Sequence, residues 1–565
     1  MGVRPDTPYD HEAVTERLLK LGRERNEIMT HLRVLTKDIG PRMTSSQGLI
    51  EAQAWARDTF IRWGLDARLE EWGEFPVGFD RGPASGHMYM PEATKLEFIT
   101  RAWSAGTSGP VRGKAVLEPG TIEEIDALAA ELKGAWIVRR PGPRLEKDVR
   151  EHLKATCDKM GAAGYVRSGQ DGGLLVTGGS HNIDWDDLPT DVSVKLRSDQ
   201  YETLTEQLEA GVAVELEFDI QNFFRKGPII QHNVVADIKG TEFPDEYVIV
   251  QAHIDSWDGA EGAADNGTGT SITMEVARLM MEAGVKPRRT IRFVLYSGEE
   301  QGLYGSKGYV ESHTDEHDKI SAVFNHDNGT QAVAGVAFTE PMTADFEQCF
   351  REVLELDDNY EFELNVIEGL RPGPSDHAPF VSAGIPAFFW AQSEDGYQKI
   401  HHTQFDTYEE TDPDALRYSV LVVALAAHNF AELDHMLDRT NMVAPKARMM
   451  GVWLDDTGVG IEGISDGDGP AKAAGWMKGD KIVSVDGEAV TSRRELVRAI
   501  RDGAPRKVFV IARGEEELET ILDWTDDPDE PRRQARAAER KAARAARKAE
   551  RDAKRDAEKK AKQDK

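Results

Sequence analysis

Residues 10 to 35 are strongly charged, yet Leu18, Leu21, Ile28, Leu32 and Leu35 recur along them as a partial stripe, the spacing of an amphipathic helix. A second helix is predicted in SSQGLIEAQAWARDTFIRWGL, with Ser45 or Ser46 as its cap and Gly64 near its end. DARLEEW then reads as a strand. From about residue 100 to 227 the runs shorten. KGAWIVRR, AAGYVRSG, GGLLVTG and VAVELEFDI are predicted strands, with helices over KDVREHLKATCDKMGAAG and SDQYETLTEQLEAG, so this stretch reads as a compact module of its own. Regular alternation resumes at NVVADIKG, EYVIVQAHID, a helix from about Thr268 to Ala283, and TIRFVLYS. That order predicts an α/β sheet flanked by helices, with functional groups at the carboxyl ends of the strands.

NMVAPKA, near 441 to 447, reads as a linker. MMGVWLDD, GVGIEGI, DKIVSVDGEAV, SRRELVRAIRDG and KVFVIARGEEELETILDW follow as about five short strands and a helix, the size of a small domain. The last residues, from RRQARAAERKAARAARKAERDAKR onward, hold 15 Lys plus Arg against 6 Asp plus Glu and almost no apolar side chain larger than Ala. Such a tail buries no core; it is a lone charged helix or disordered, and its basic surface could meet an anionic partner. The predicted organisation is therefore 1–100 with 228–440 as one discontinuous domain, 101–227 as an insertion, 447–524 as a small domain and 526–565 as the tail.

Composition narrows the reading. At 565 residues the chain exceeds one core, and roughly three or four domains are expected. A net charge of −31 repels polyanions, which argues against specific nucleic-acid binding by the folded part. Two cysteines, Cys157 and Cys349, make neither a disulfide framework nor a Cys-rich metal site. No signal-type apolar core or membrane-length run is present. As written the chain is expected in the cytoplasm, or exported if the true start lies upstream.

The chemistry gathers where the strands end. VIVQAHIDSWDGAEGAADNGTG offers His253, Asp255 and, past a Gly/Ala-rich loop, Asp265; VLYSGEE offers Glu299 and Glu300; ISAVFNHDNG ends in Asp327; YQKIHHTQFDT carries His401 and His402 before a turn. Imidazoles and carboxylates are ligands that zinc accepts. Converging, these side chains would form a ring of buried anions that demands cations. Two divalent ions about 3.5–4 Å apart would neutralise it and leave room for a water between them.

HIDSWDGAEGAADNGTGTS, SGEEQGLYGS, NHDNG, SDHAPFVSAGIP and HHTQFDT, in that order, resemble the di-zinc aminopeptidases related to carboxypeptidase Q. The resemblance covers about residues 30–80 and 228–435 and implies a phosphorylase/hydrolase-like fold with a central mixed sheet. It implies a zinc-dependent exopeptidase of short peptides, in first place an aminopeptidase. The carboxypeptidase or dipeptidase activity of carboxypeptidase Q is the alternative, and a non-catalytic binding scaffold a remoter one. By it, His253 and Asp327 hold one zinc, Glu300 and His402 the other, and Asp265 bridges two Zn2+ ions. Glu299 is then the general base acting on the water between them, and Asp255 orients His253 through its other ring nitrogen. His401 is a candidate for the oxyanion and Tyr397 for substrate contact; His377 and His326 are not read as ligands. The insertion resembles a protease-associated (PA) domain. The last folded segment resembles a PDZ domain, whose Met450, Gly451 and Val452 would receive the C-terminus of a protein partner.

Overall fold

The computed structural model describes residues 9–535 and 538, except 328, 393–396, 441, 445, 466, 468 and 502. The chain forms two compact units, residues 1–442 and 443–565. The predicted tail lies almost wholly outside the described residues.

The first unit is built on one 14-stranded sheet. At its centre Phe243–His253 runs parallel to Arg289–Tyr296 on one side and to Ile320–Asn325 on the other, and Ala387–Gln392 continues the parallel run. Arg289–Tyr296 and Ile320–Asn325 are buried at every position, the signature of strands covered on both faces. Parallel pairing aligns the four carboxyl ends on one edge, and the predicted chemistry leaves the sheet there. The helices Thr268–Ala283 and Pro413–Glu432, both almost wholly buried, pack side by side against these strands.

The amino-terminal stretch is two helices rather than one, His11–Glu24 and Ile28–Arg33, with Val34–Ile39 wound as a wider turn. Asn26 interrupts it by accepting from the Ile28 N–H through its side chain, a local bond that competes with the helix. Ser46 is the cap of Gln47–Trp63, accepting from Leu49 N, and Gly64 ends that helix at φ 94°.

DARLEEW is only the start of a 25-residue strand, Asp66–Met90, which pairs antiparallel with Glu215–Ile238 along its length. Glu215–Ile238 runs unbroken through residue 227. On its other edge the same strand pairs with Arg289–Tyr296 near its carboxyl end and with Val111–Leu117 of the 101–227 segment near its amino end. Trp136–Val138, Gly164–Ser168 and Ser193–Leu196 then extend the sheet outward as parallel neighbours.

GGLLVTG is not a strand. Gly172, Gly173 and Gly178 take φ of 75°, 78° and 139°, which a regular strand does not accommodate. The segment bends instead toward the loop after Ala387–Gln392, where Leu175 N donates to Gln404 Oε1 and Thr177 N to the His402 carbonyl.

Among the described residues the second unit has six strands, where about five are expected. Val452–Leu454 pairs with Ile461–Ile464 as a ribbon. Lys481–Val485, Glu488–Ala489, Arg506–Arg513 and Glu516–Asp523 form a four-stranded sheet. Pro470–Ala473 and Arg493–Arg501 are helical. Phe509, Ile511, Ile482, Leu496 and Trp476 lie in its core.

Candidate metal centre

His253 is the last residue of the central strand and is fully buried. Its Nδ1 lies 3.1 Å from the main-chain oxygen of Asp255, which turns Nε2 toward the cleft. There Nε2 stands 3.2 Å from Asp265 Oδ1 and 3.1 Å from Asp327 Oδ1. Asp265 sits in the turn Ala263–Gly267, ahead of the helix Thr268–Ala283, and is almost fully buried. Its second oxygen, Oδ2, is 3.0 Å from His402 Nε2, which is itself 3.0 Å from Glu300 Oε2. The potential ligand atoms of His253, Asp265 and Asp327 lie within 4.8 Å of one another, and so do those of Asp265, His401 and His402. Asp265 is common to both groups, with one oxygen facing each.

Several residues hold this arrangement from behind. Asp255 is fully buried; its carboxylate accepts from Thr44 Oγ1 at 2.9 Å and from the N–H groups of Glu299 and Glu300 at 3.4 Å each. It therefore ties the two-glutamate turn to His253, whose Nδ1 is 3.5 Å from Asp255 Oδ1. Asp406 accepts from Ala264 N at 2.5 Å and Asp265 N at 3.3 Å, fixing the Asp265 turn.

Arg42 is fully buried and donates to the carbonyls of Ile254, Leu35, Gly40, Glu261 and Gly262. It clamps the loop between His253 and Asp265 and supplies a cation to Asp406, Asp255, Asp265 and Glu300. Arg42→Met leaves buried carbonyls without donors. It is expected to destabilise the first unit by at least about 3 kcal/mol and to weaken metal retention, read by urea unfolding and metal analysis. Wild-type stability would remove the clamp from this account.

Electrostatics show what the ring of acids needs. Burial and the charge of Asp265 push Glu300 up to about 8, against the pull of His402. Burial and Asp265 push Asp406 to about 7, and burial with the Asp255 and Asp327 charges brings Asp376 to about 7. Burial raises Glu299 well above the usual carboxylate range; His253 opposes this, and Asp327, Asp376 and Glu300 reinforce it. His402 moves the other way: burial disfavours its charge, yet Asp265 and Glu300 raise it to about 10. Without cations the chain gathers protons here to offset its own repulsion, the behaviour of a site built for multivalent cations.

His401 stacks on His402 with ring centres 3.7 Å apart and on Tyr397 at 5.0 Å; its Nε2 is 3.6 Å from Asp265 Oδ2. His326 turns away from the cluster and contacts Gln392 Nε2 at 3.2 Å. Met450, Gly451 and Val452 belong to the second unit: Met450 is buried, Gly451 takes φ 80°, and Val452 opens the ribbon strand. Sequence reasoning singled out neither Arg42, Thr44, Asp376 nor Asp406. Asp406 and Asp376 stood inside the quoted stretches HHTQFDT and SDHAPF, but nothing local marks which acid faces the centre.

Residues 233–427 match the family described as peptidase family M28. Over those residues the chain is similar to M28 peptidases, and it is a hydrolase. The match spans every residue of the cluster from His253 to Asp406. Carboxypeptidase Q of Mus musculus is 28% identical over 441 residues, covering 76% of this chain and 92% of that protein. The Rattus norvegicus protein of the same name is 28% identical over 442 residues, covering 76% and 91%. The crystal structure of a peptidase M28 precursor from Shewanella amazonensis SB2B superposes with a TM-score of 0.55 at 24% identity, over 77% of this chain and 99% of that one. It shares the mixed sheet of the M28 domain. Among the described residues no helix is long and apolar enough to cross a membrane.

Proposed function

We propose that the M28 domain is a zinc-dependent exopeptidase of short peptides, an aminopeptidase in specificity, with Glu299 as general base. The observation that carries this is the convergence of His253, Asp327, His402 and Glu300 on the two oxygens of Asp265. Two imidazoles and three carboxylates are a donor set suited to zinc. In this reading His253 and Asp327 would hold one ion, Glu300 and His402 would hold a second, and Asp265 would serve both. Zinc bound there supplies Lewis-acid polarisation of the scissile carbonyl and activation of water.

Glu299 lies beside these ligands without being assigned as one. It takes a proton from the attacking water and returns it to the leaving amine. Burial, first among the causes, lowers His401 and favours its neutral imidazole, which would donate one N–H to the developing oxyanion. Asp255 and Thr44 hold the turn that aims Glu299, and Tyr397 is the substrate-facing aromatic ring. Aminopeptidase specificity is supported by the surplus of acid: Asp376 is fully buried and, among the described residues, has no cation paired with it, only the Ser306 hydroxyl nearby. Such surroundings favour a substrate that brings an ammonium rather than a carboxylate.

A carboxypeptidase or dipeptidase is the second reading, favoured because the relatives matching across 76% of the chain are named carboxypeptidase Q. Cleavage of aminoacyl, N-blocked and dipeptide substrates separates the two. Release of the first residue, with N-blocked peptides inert, is expected; trimming of N-blocked peptides from the carboxyl end overturns the aminopeptidase assignment. A non-catalytic scaffold requires a lost ligand, and all five are present. We assign 101–227 as a PA-type insertion bordering the cleft through Thr177 and Leu175. The second unit is assigned as a PDZ-type module in which Val452–Leu454, paired on one side only among the described residues, accepts a peptide C-terminus by strand addition.

A further inference from the structure

The helices His11–Glu24 and Pro413–Glu432 of the first unit run antiparallel. They meet closely where Gly22 faces the Leu421 side chain, which a Cβ on Gly22 would strike. At the other end of the contact His11 stacks on His428, ring centres 4.3 Å apart and planes 19° from parallel. His428 follows the apolar run LVVALAA in the longer helix and is fully buried. Among the described residues neither of its ring nitrogens has a side-chain partner, though the ring also contacts the His11 main chain, and His11 Nδ1 is buried and unpartnered too. Three orphaned nitrogens in one contact call for an occupant, because buried polar atoms are nearly always satisfied. Glu432, one turn beyond His428, lies on the same face.

One Glu432 oxygen accepts from Arg288 N at 3.1 Å, while the Arg288 guanidinium pairs with Glu242 and donates to the Glu432 main-chain oxygen at 3.1 Å. The potential ligand atoms of His11, His428 and Glu432 lie within 4.8 Å of one another. We infer that these three side chains form a further binding site for a divalent transition-metal ion, zinc above all, which pins the first helix of the unit to its last. Two imidazole nitrogens and one carboxylate are a known zinc donor set that leaves a fourth position for water.

Burial and the adjacent His11 ring hold His428 down at about 3, with proximity to the His11 main chain offsetting this only in part. Its imidazole is thus neutral, the form a metal requires. His11 and Glu432 are only partly buried, so an ion has a way in. The nitrogens' other natural occupant is a bridging water, which the experiment must separate from a metal.

The experiment is zinc stoichiometry of the full chain by elemental analysis after dialysis, for wild type, His11→Ala and His428→Leu, and for a cleft variant Asp265→Ala/His402→Ala. Each helix variant is expected to hold one zinc fewer per chain than wild type, with peptide hydrolysis unchanged. The cleft variant is expected to retain one zinc, and its unfolding temperature to rise on zinc addition; adding His11→Ala to it abolishes both effects. Wild-type zinc content in His11→Ala, or a cleft variant that binds no zinc, overturns the site and leaves a water in its place. Because His11 is only partly buried, His11→Ala remains informative even if His428→Leu misfolds. The cleft variant reads the helix site whether or not the M28 cleft holds two ions.

Discussion

Glu299→Gln is expected to lower kcat for peptide hydrolysis by about 10²–10⁴-fold while leaving metal content and KM close to wild type. Adjacent acids at a strand end are used differently here. Glu300 stands 3.0 Å from His402 and accepts from Trp257 N at 3.2 Å, so its carboxylate is committed inside the cluster. The Glu299 side chain has no such hydrogen-bonded commitment, yet lies close enough to His253 for its charge to help raise that imidazole. The amide isostere fills the same volume and leaves the turn intact, since that turn is held through the N–H groups of both residues on Asp255. What it removes is a group that accepts a proton. Glu300→Gln serves as the contrast: it is expected to lose metal as well as activity. Stopped-assay kinetics with elemental analysis on both variants decides the matter. Full activity in Glu299→Gln sinks the base assignment, and loss of metal in that variant would make Glu299 a ligand.

The pattern that made the cluster readable was local. His253, the Glu299–Glu300 pair and Asp327 each follow an apolar run that could only be a buried strand, and each is an ionisable group at its carboxyl end. Parallel pairing does the rest, since it sets those ends side by side. Arg42 and Asp406 carried no such mark. Arg42 works on carbonyls more than 200 residues away, at Ile254, Glu261 and Gly262, and Asp406 on N–H groups near 264; only the folded approach of loops gives either a task. GGLLVTG misled because its apolar triplet outweighed its glycines, whereas the glycines decide a path that must reach His402. The 101–227 segment reads as an insertion because its strands are short, and Glu215–Ile238 links it by pairing to the central strands. His428 was hidden for the opposite reason: within an apolar helix it looks like a satisfied core residue, and its orphaned nitrogens appear only once His11 is brought against it.

Chelation is expected to make the stability of the first unit fall as pH rises. In the ion-free chain Glu300 titrates at about 8 and Asp376 and Asp406 at about 7, all above the range of an unfolded carboxyl group. Between that range and those values these three groups bind more protons folded than unfolded, so their contribution to stability declines with pH. His402, raised to about 10, works in the same direction: its contribution is complete below the unfolded imidazole value and is lost as pH climbs through 10. Asp265, held below its usual value by His253 and His402 despite burial, has the opposite sign and matters only in acid. His428, His326 and His377, held low by burial at about 3, 4 and 4, oppose this below neutrality, so the net loss is expected above about pH 7, the unfolding temperature of the chelated chain dropping by at least about 5 °C by about pH 9. Zinc reverses the slope, because ligation needs Glu300 and Asp265 as carboxylates and His253 and His402 as neutral rings, and so releases the protons that the empty cluster holds. Calorimetry at a series of pH values reads this directly, taking the transition that moves on zinc addition as that of the first unit. A chelated chain as stable at pH 9 as at pH 7 would mean that the cluster does not store protons, and the case for a cation-built centre would fall with it.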